Sequence, residues 1–294
     1  MPLSVGLLAH TGQVGVHFLH SLVKEHDKGN VKLVVLHRDG SDLSSVPKDV
    51  ETRVVQLDEH GKAKNQKAVE GLDVVLTAVP REGWLAQTHL IEVLSESPTI
   101  KLLVPSGFDL DWENEGPDAP AADAMEIKKQ VFARAKELGV PTVNILAGLF
   151  DNYVFDPHWE IVNTDVQGNN ITFFRDAQHQ PIHLTTLPYF GYAVTQLIQK
   201  PASLDGKVFQ LYDLAPTGQD IVDILTKCHG SPTHINHYTE EEYKRAITER
   251  KDMLKAGVHR KWGDGDWGPS ERLVVDGWQG LTIEQLIYDW VSKV

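Results

Sequence analysis

The first 23 residues place a short apolar run, a glycine-containing turn and a helical pattern in immediate succession. The run, residues 4–9, has the composition of a buried strand. The turn, residues 10–15, reads HTGQVG, and the apolar residues after it recur at helical spacing through Val23. Strand, glycine turn and helix in this order are typical of a dinucleotide-binding turn, where unpaired N–H groups at the helix N-terminus hold the pyrophosphate. We therefore expect a nucleotide cofactor at this turn.

The two glycines of the turn have separate predicted roles. Gly12 lets the backbone approach a pyrophosphate, and Gly15 lets the helix pack close to the strand. Ala9 stands where a G-x-x-G-x-x-G pattern has its first glycine, so a purely structural turn is the alternative interpretation. The predicted cofactor contacts in this segment are His10, Thr11, Gly12, Gln13, Val14 and Gly15.

Charge and composition narrow the range of partners. The chain of 294 residues has a net charge of −13 and no polybasic run, which argues against nucleic acid and against an anionic membrane surface. No apolar stretch approaches the roughly 20 residues of a membrane-spanning helix. The single cysteine, Cys228, excludes an intramolecular disulfide framework and fits a reducing compartment. We expect a cytoplasmic protein with a small-molecule substrate and no metal.

Strands and helices alternate through the first half of the chain. Strongly apolar strands between helices indicate a parallel sheet that is covered on both faces. The expected fold class is α/β, a doubly wound parallel sheet (Rossmann fold), formed by residues 1–153 as an NADP-binding domain. Beyond the opening unit, strands are predicted at 31–36, 52–57, 73–78, 100–104 and 142–146, and helices at 65–70, 85–94 and 124–138.

The second half has a different character, with charged helices and a tail rich in glycine and tryptophan. We interpret residues 154–294 as a smaller substrate-binding lobe, from which the chain is free to cross back to the Rossmann domain. Strands are predicted here at 159–163, 171–174 and 207–212, and helices at 186–199, 217–228, 240–255 and 282–294.

The end of the second predicted strand bears on the choice of cofactor. NAD-binding folds place an acidic residue here against the ribose 2′-hydroxyl, whereas an arginine meets the 2′-phosphate of NADP. Arg38 lies two residues beyond Leu36, and its guanidinium matches a phosphate in charge and geometry. Asp39 follows it and leaves NAD as the alternative, but the arginine favours NADP.

Common catalytic motifs are absent from the sequence. None of the seven tyrosines has a lysine four residues later, and there is no histidine–glutamate zinc motif. Ser106 lacks the flanking glycine of a nucleophile elbow. Because ligands of parallel sheets lie at the C-terminal ends of the strands, residues just after the fourth and fifth predicted strands are expected to line the cofactor. These residues are Ala78, Pro80, Ser106 and Phe108.

Four segments of the chain form a recognisable set. They are Ala9–Gly15, Leu36–Arg38, the LVPSGF run at Leu103–Phe108, and Glu126–Val131 followed by Gly139–Pro141 and Phe150–Tyr153. Together they resemble the NmrA-like atypical short-chain dehydrogenases, and among these the isoflavone reductases and phenylcoumaran benzylic ether reductases. The LVPSGF run is similar to that family's F-x-P-S-E-F-G, and the resemblance covers about the first two-thirds of the chain.

The resemblance implies an NADP cofactor and a catalytic lysine. In these reductases the lysine lies eleven residues before the glycine of a G-[IV]-P turn, which corresponds to Lys128 when counted from Gly139. Lys129 points about 100° away on a helix, so only one of the pair can face the cofactor well. Lys128 would act as general acid or base, or would hold the nicotinamide ribose. A solvated helix surface is the alternative for both lysines.

The implied activity is reduction of a small, aromatic metabolite by NADPH. Two alternatives stay open, an NADP(H)-binding redox-sensing regulator without catalysis and a non-redox isomerase or cyclase on the same fold. The sequence departs from the family at Gly107, where the family has glutamate, and at Ala9–His10, where it has Gly-Ala. The predicted apolar wall of the substrate site consists of Trp84, Phe108, Phe150 and Tyr153.

Overall fold

A computed structural model describes residues 2–113, 121–156, 158–159 and 161–292. The chain divides into two compact units, and each unit is assembled from three segments because the chain passes between them repeatedly. Unit 1 consists of Met1–Phe108, Asp123–Leu146 and Phe190–Phe209, and unit 2 consists of Asp109–Ala122, Ala147–Tyr189 and Gln210–Val294.

The described residues form strands and α-helices, with short 3₁₀ turns at Arg81–Gly83, Leu85–Gln87 and Pro201–Ser203. In chain order the strands and helices are β1 (Leu3–Leu8), α1 (Gly15–Asp27), β2 (Val31–His37), β3 (Glu51–Val54), α2 (Lys62–Val69), β4 (Val74–Thr77), α3 (Thr88–Ser95), β5 (Leu102–Val104), α4 (Ala122–Glu137), β6 (Asn144–Ala147), β7 (Leu149–Phe150), α5 (Asp151–Phe155), β8 (Asn170–Phe173), β9 (Leu184–Thr185), α6 (Leu187–Leu197), β10 (Val208–Leu211), α7 (Gly218–His229), β11 (His234–His237), α8 (Glu240–Glu249), α9 (Met253–Asp264) and α10 (Ile283–Val291).

Unit 1 is built on a five-stranded sheet in the order β3-β2-β1-β4-β5, and its pairings are parallel. The sheet order changes direction between β1 and β4, and open sheets of this kind bind ligands at such a switch point, outside the carboxyl ends of the strands. The predicted doubly wound parallel sheet is confirmed.

Helices α2, α3 and α4 share one apolar core with the sheet of unit 1. Leu36, Leu72, Leu90 and Val131 belong to this core and are almost fully buried. Helix α6 lies against α1 instead. A Cβ atom built on Gly191 would be only 2.5 Å from the carbonyl oxygen of a residue on α1, so glycine permits this close approach.

Unit 2 contains two pairs of parallel strands, β8 with β11 and β7 with β9. Its helices α7, α8 and α10 begin with capping boxes, in which the N-cap threonine and the third residue of the helix satisfy each other's backbone N–H groups. The three N-cap residues are Thr217, Thr239 and Thr282. Local sequence therefore determines where these helices begin.

Three of the predicted elements differ from the structure. The strand predicted at 159–163 is wrong, because turns and bends occupy the described residues there; residue 160 lies outside them. The single helix predicted at 240–255 is two helices, since Arg250 and Asp252 have φ values of +52° and +55° that interrupt the helix. The sixth predicted strand, at 142–146, corresponds to β6, which pairs with β10 and not with the central sheet. A bridge from Thr142, just before β6, to Leu103 connects this segment to the sheet.

Candidate functional site

The turn between β1 and α1 depends on close contact between backbone atoms. Ala9 has a φ of +66°, in the left-handed region that favours glycine. A Cβ atom built on Gly15 would lie 2.0 Å from the carbonyl oxygen of Ala9, so no side chain fits there. The close packing predicted for Gly15 is therefore a contact with Ala9, the residue at the first position of the motif.

The N-terminus of α1 has backbone donors available. Within the described part of the chain, the N–H groups of Val14 and Gly15 make no hydrogen bond, and no side chain caps the helix. Such groups, together with the helix dipole, favour an anion. A Cβ on Gly12 would be 3.6 Å from the carbonyl oxygen of Ala78 and 3.8 Å from that of Ala9, which is ordinary contact. The end of β4 is thereby placed beside the turn.

A histidine connects the turn to the loop that follows β2. The His10 side chain is 2% exposed, and its Nε2 donates a hydrogen bond of 3.0 Å to the carbonyl oxygen of Asp42. Arg38 lies in the same loop, is exposed, and makes no salt bridge or side-chain hydrogen bond with the described residues. Hydrogen bonds from Ser44 hold the pKa of Asp42 below its ordinary value. The contact from His10 was not anticipated from the motif, which assigned this residue to the cofactor alone.

The ends of β4 and β5 are joined by side-chain hydrogen bonds. The Ser106 backbone N–H donates to Thr77 Oγ1 at 2.8 Å and to Gln87 Oε1 at 2.9 Å. The Ser106 hydroxyl accepts a 2.8 Å hydrogen bond from the N–H of Val79, and Thr77 also donates to Gln87. Ser106 therefore fixes the backbone beside the predicted cofactor contacts Ala78 and Pro80. Thr77 and Gln87 are parts of this network that the sequence motifs did not indicate.

Lys128 and Lys129 have the contrasting positions expected of neighbours on a helix. The Lys128 side chain is 4% exposed, and its Nζ donates a 2.6 Å hydrogen bond to the carbonyl oxygen of Gly107. Lys129 is exposed. Gly107 has a φ of +119°, which explains a glycine where the related family has glutamate. The ammonium group of Lys128 is thus held at the carboxyl end of β5.

Phe108 belongs to an aromatic cluster within unit 1. Its ring is edge-on to those of Phe18 and Phe190, with centroids 5.5 and 5.0 Å away. Trp84 lies between two 3₁₀ turns and is half-buried. Phe150 and Tyr153 belong to unit 2, where their ring centroids are 6.0 Å apart. The shared substrate wall assigned to these residues stays a prediction.

Neither a metal centre nor a membrane segment is found in the part of the chain that the structure describes. No group of three or more histidine, cysteine, aspartate or glutamate side chains there is arranged to hold a metal ion. None of the helices described is long and apolar enough to cross a membrane.

The parallel sheet, the glycine turn at its switch point and the free N–H groups of α1 define a Rossmann-type α/β protein. Comparison with known protein families then identifies the family within this fold. The model of the NmrA-like family matches residues 4–259, and the chain belongs to that family. The resemblance that the four motifs indicated is confirmed.

Individual relatives are distant. The isoflavone reductase homolog P3 of Arabidopsis thaliana is 22% identical over 69% of this chain and 66% of its own length. The phenylcoumaran benzylic ether reductase PT1 of Pinus taeda is 29% identical over 33% of this chain and 31% of its own. These matches thus span from about a third to just under two-thirds of the relatives. The leucoanthocyanidin reductase–NADPH complex from Vitis vinifera shares the fold, with a TM-score of 0.80 and 16% identity over 99% of this chain and 100% of that one.

Proposed function

We propose that the protein is an NADPH-dependent reductase of a small, aromatic metabolite. The observation that carries the proposal is the buried Lys128, whose Nζ lies 2.6 Å from the Gly107 carbonyl oxygen at the carboxyl end of the sheet. Relatives named as isoflavone reductase homologue and phenylcoumaran benzylic ether reductase support the reaction class and the aromatic substrate. The similar structure that contains NADPH supports the cofactor.

The residues of unit 1 fit this dinucleotide. The N–H groups of Val14 and Gly15 would hold the pyrophosphate, and Gly12, which has no side chain, would let the backbone approach it. The exposed guanidinium of Arg38 would pair with the 2′-phosphate, while His10 holds the loop in place. When bound, NADPH supplies a hydride, and the protein supplies orientation and a proton.

Lys128 is proposed to hold the proton that the substrate takes up. Its ammonium donates to the Gly107 carbonyl oxygen, which fixes the direction of the side chain. A charged donor excluded from water can hydrogen-bond an oxygen or carbon that becomes electron-rich and then transfer its proton. Phe108, on the segment after Gly107, is held by Phe18 and Phe190 and offers a rigid aromatic surface to a flat substrate.

The test is NADPH oxidation with three probes, an isoflavone, a phenylcoumaran and (+)-pinoresinol, which is the compound bound in a similar structure. With a probe that turns over, Lys128→Met should lower kcat by roughly 10²–10⁴-fold, the usual contribution of a general acid or base. Lys129→Met is the matched control, because Lys129 lies on the same helix but is exposed. Its kcat is expected to stay at the parent value.

Two outcomes would overturn the proposal. Tight NADPH binding without oxidation by any of the probes would favour a regulator or a non-redox enzyme. An unchanged kcat for Lys128→Met, with NADPH affinity reduced by the same substitution, would instead assign Lys128 to the ribose.

A further inference from the structure

Unit 2 contains a cavity of about 550 Å³ that includes none of the predicted cofactor or substrate residues. Its walls come from β8, from β11 and Tyr238 after it, from α8 and α9, and from Val154, Asp156, Ile161 and residues 163–165. This volume lies within the range of about 300–1,000 Å³ that is typical of small-molecule sites. The cavity is therefore large enough for a ligand of its own.

The two strands present polar side chains to the cavity in register. Thr172 of β8 is paired with Asn236 of β11, and both line the cavity. Their neighbours on β8, Ile171 and Phe173, are 0% and 1% exposed and face the core. Because strand side chains alternate between faces, the polar face of this sheet is directed at the cavity while the apolar face is packed.

Polar groups of the cavity wall are left without protein partners. Among the described residues, the side chains of Asn163, Asn236 and Lys255 make no hydrogen bond or salt bridge. The Oγ1 atom of Thr164 has no partner although that residue is only 4% exposed. Buried polar groups are normally satisfied, so the buried Thr164 hydroxyl indicates a partner that binds in the cavity. The half-buried side chains of Asn163, Asn236 and Lys255 present further donors and acceptors to the same space.

The charges around the cavity disfavour an ionic ligand of either sign. Three carboxylates, those of Asp156, Asp165 and Glu242, face one ammonium, that of Lys255. The net negative charge opposes an anion. The carboxylates that would attract a cation already accept hydrogen bonds within the chain, Glu242 from the Thr239 N–H and Asp156 from the His158 N–H. Asp165 already accepts hydrogen bonds from the Gly168 N–H and from Asn170, so its pull on a cation is further reduced.

Tyr238 gives the cavity an oriented aromatic wall. Its ring stacks on that of His259, with centroids 4.8 Å apart and planes inclined by 19°. The Tyr238 hydroxyl makes no hydrogen bond with the described residues. An aromatic face beside unpartnered donors and acceptors suits a molecule that has C–H faces and several hydroxyl groups.

We propose that this cavity binds a neutral polyhydroxylated molecule of the size of a mono- or disaccharide. Hydroxyl groups both donate and accept, so they can satisfy the amides of Asn163 and Asn236, the hydroxyl of Thr164 and the ammonium of Lys255 together. The site lies within unit 2 and is separate from the residues proposed to hold NADPH.

The experiment compares four probes by isothermal titration calorimetry and saturation-transfer NMR: glucose, sucrose, glucosamine and glucuronate. Glucose or sucrose should bind saturably, and more tightly than the cationic or anionic analogue. Lys255→Met should lower the affinity for the sugar by about tenfold, which corresponds to the loss of one charge-assisted hydrogen bond. Lys251→Met is the matched control, since Lys251 is exposed and does not line the cavity.

Tyr238→Phe is a second variant that keeps the stacked ring and removes only the hydroxyl, and it should also weaken sugar binding. NADPH affinity, measured on the same samples, should stay unchanged and serves as the test of folding. Absence of saturable binding by both neutral sugars would overturn the proposal. So would preference for glucosamine or glucuronate, and so would sugar binding that Lys255→Met and Tyr238→Phe leave unchanged.

Discussion

Units 1 and 2 make polar groups available to a ligand in opposite ways. In unit 1 the uncommitted donors are the backbone N–H groups of Val14 and Gly15, while the nearby side chains of Thr77 and Gln87 are bonded to Ser106. In the cavity of unit 2 the uncommitted groups are side chains from three separate stretches of chain. A site formed by backbone groups requires particular residue types at fixed positions of the turn. A site formed by side chains from distant segments places little constraint on the sequence of any one segment.

The largest expected effect tests whether the unit 1 turn depends on backbone contact. Gly15→Ala would place its Cβ 2.0 Å from the Ala9 carbonyl oxygen. Since only backbone movement can relieve this clash, we expect a loss of about 3 kcal/mol in the free energy of unfolding, at the upper end for overpacking. Urea denaturation measures it.

Gly12→Ala is the control, because a Cβ there meets its nearest atom at 3.6 Å and the stability should hardly change. The larger Gly12→Val should keep the native circular dichroism spectrum and lose NADPH binding. Equal destabilisation by Gly15→Ala and Gly12→Ala would contradict the backbone account.

The next effect concerns a buried side chain of unit 2. Burial lowers the pKa of His259 to about 3, and neither ring nitrogen has a hydrogen-bond partner among the described residues. The folded state therefore disfavours the protonated ring, and the unfolded state binds the proton near pH 6.5. Stability is full above pH 6.5 and falls as the pH drops toward 3, by about 2 kcal/mol between pH 7 and pH 5 for this group.

His259→Leu removes the titrating ring without breaking a hydrogen bond. Urea denaturation of both proteins at pH 7 and pH 5 isolates the contribution of His259, since His183, whose pKa burial lowers to about 4, remains in each. The same loss of stability in the variant and the parent would show that His259 is not responsible.

A binding effect of about tenfold is expected at Arg38. Its guanidinium is proposed to form a charge-assisted bond to the 2′-phosphate, typically worth about 1.5–3 kcal/mol. Arg38→Ala should weaken NADPH at least tenfold and leave NADH nearly unchanged, as calorimetry would show. Equal losses for the two cofactors would remove the role of Arg38 in specificity.

The smallest expected effect is a gain in stability. Ala9 has a φ of +66°, where an L-residue with a Cβ is strained by about 1–2 kcal/mol. Ala9→Gly relieves this strain but increases the entropy of the unfolded chain, so we expect a net gain of about 0.5–1 kcal/mol. A lower melting temperature for this variant would show that the Ala9 methyl group is needed for packing.

The same contrast explains how much the sequence could predict. Gly15 revealed the turn because its close contact with Ala9 leaves no space for a side chain. Apolar runs between helices revealed the parallel sheet, although a sixth strand was also predicted in it. The family's spacing to Gly139 predicted Lys128 rather than Lys129, and the structure buries Lys128 while Lys129 is exposed. The catalytic role of Lys128 stays a prediction. These features depend on neighbours in sequence or on a family motif.

Features that depend on distant residues were not predictable. Thr77, Gln87 and Ser106 meet only after β4 and β5 have paired. No glycine or proline marks the interruption between α8 and α9 at Arg250 and Asp252, so one continuous helix was predicted there. The cavity of unit 2 likewise brings together residues from Val154 to Lys255.

The hydrogen bond from His10 has a consequence for how cofactor preference can change. Its acceptor is the main-chain oxygen of Asp42, not the carboxylate, so the bond does not specify which amino acid occupies position 42. The loop that carries Arg38 can therefore accumulate substitutions while its attachment to the turn is retained. Mutational drift, or a library randomised over residues 38–42, can explore new cofactor preferences in this loop without rebuilding the turn that anchors it.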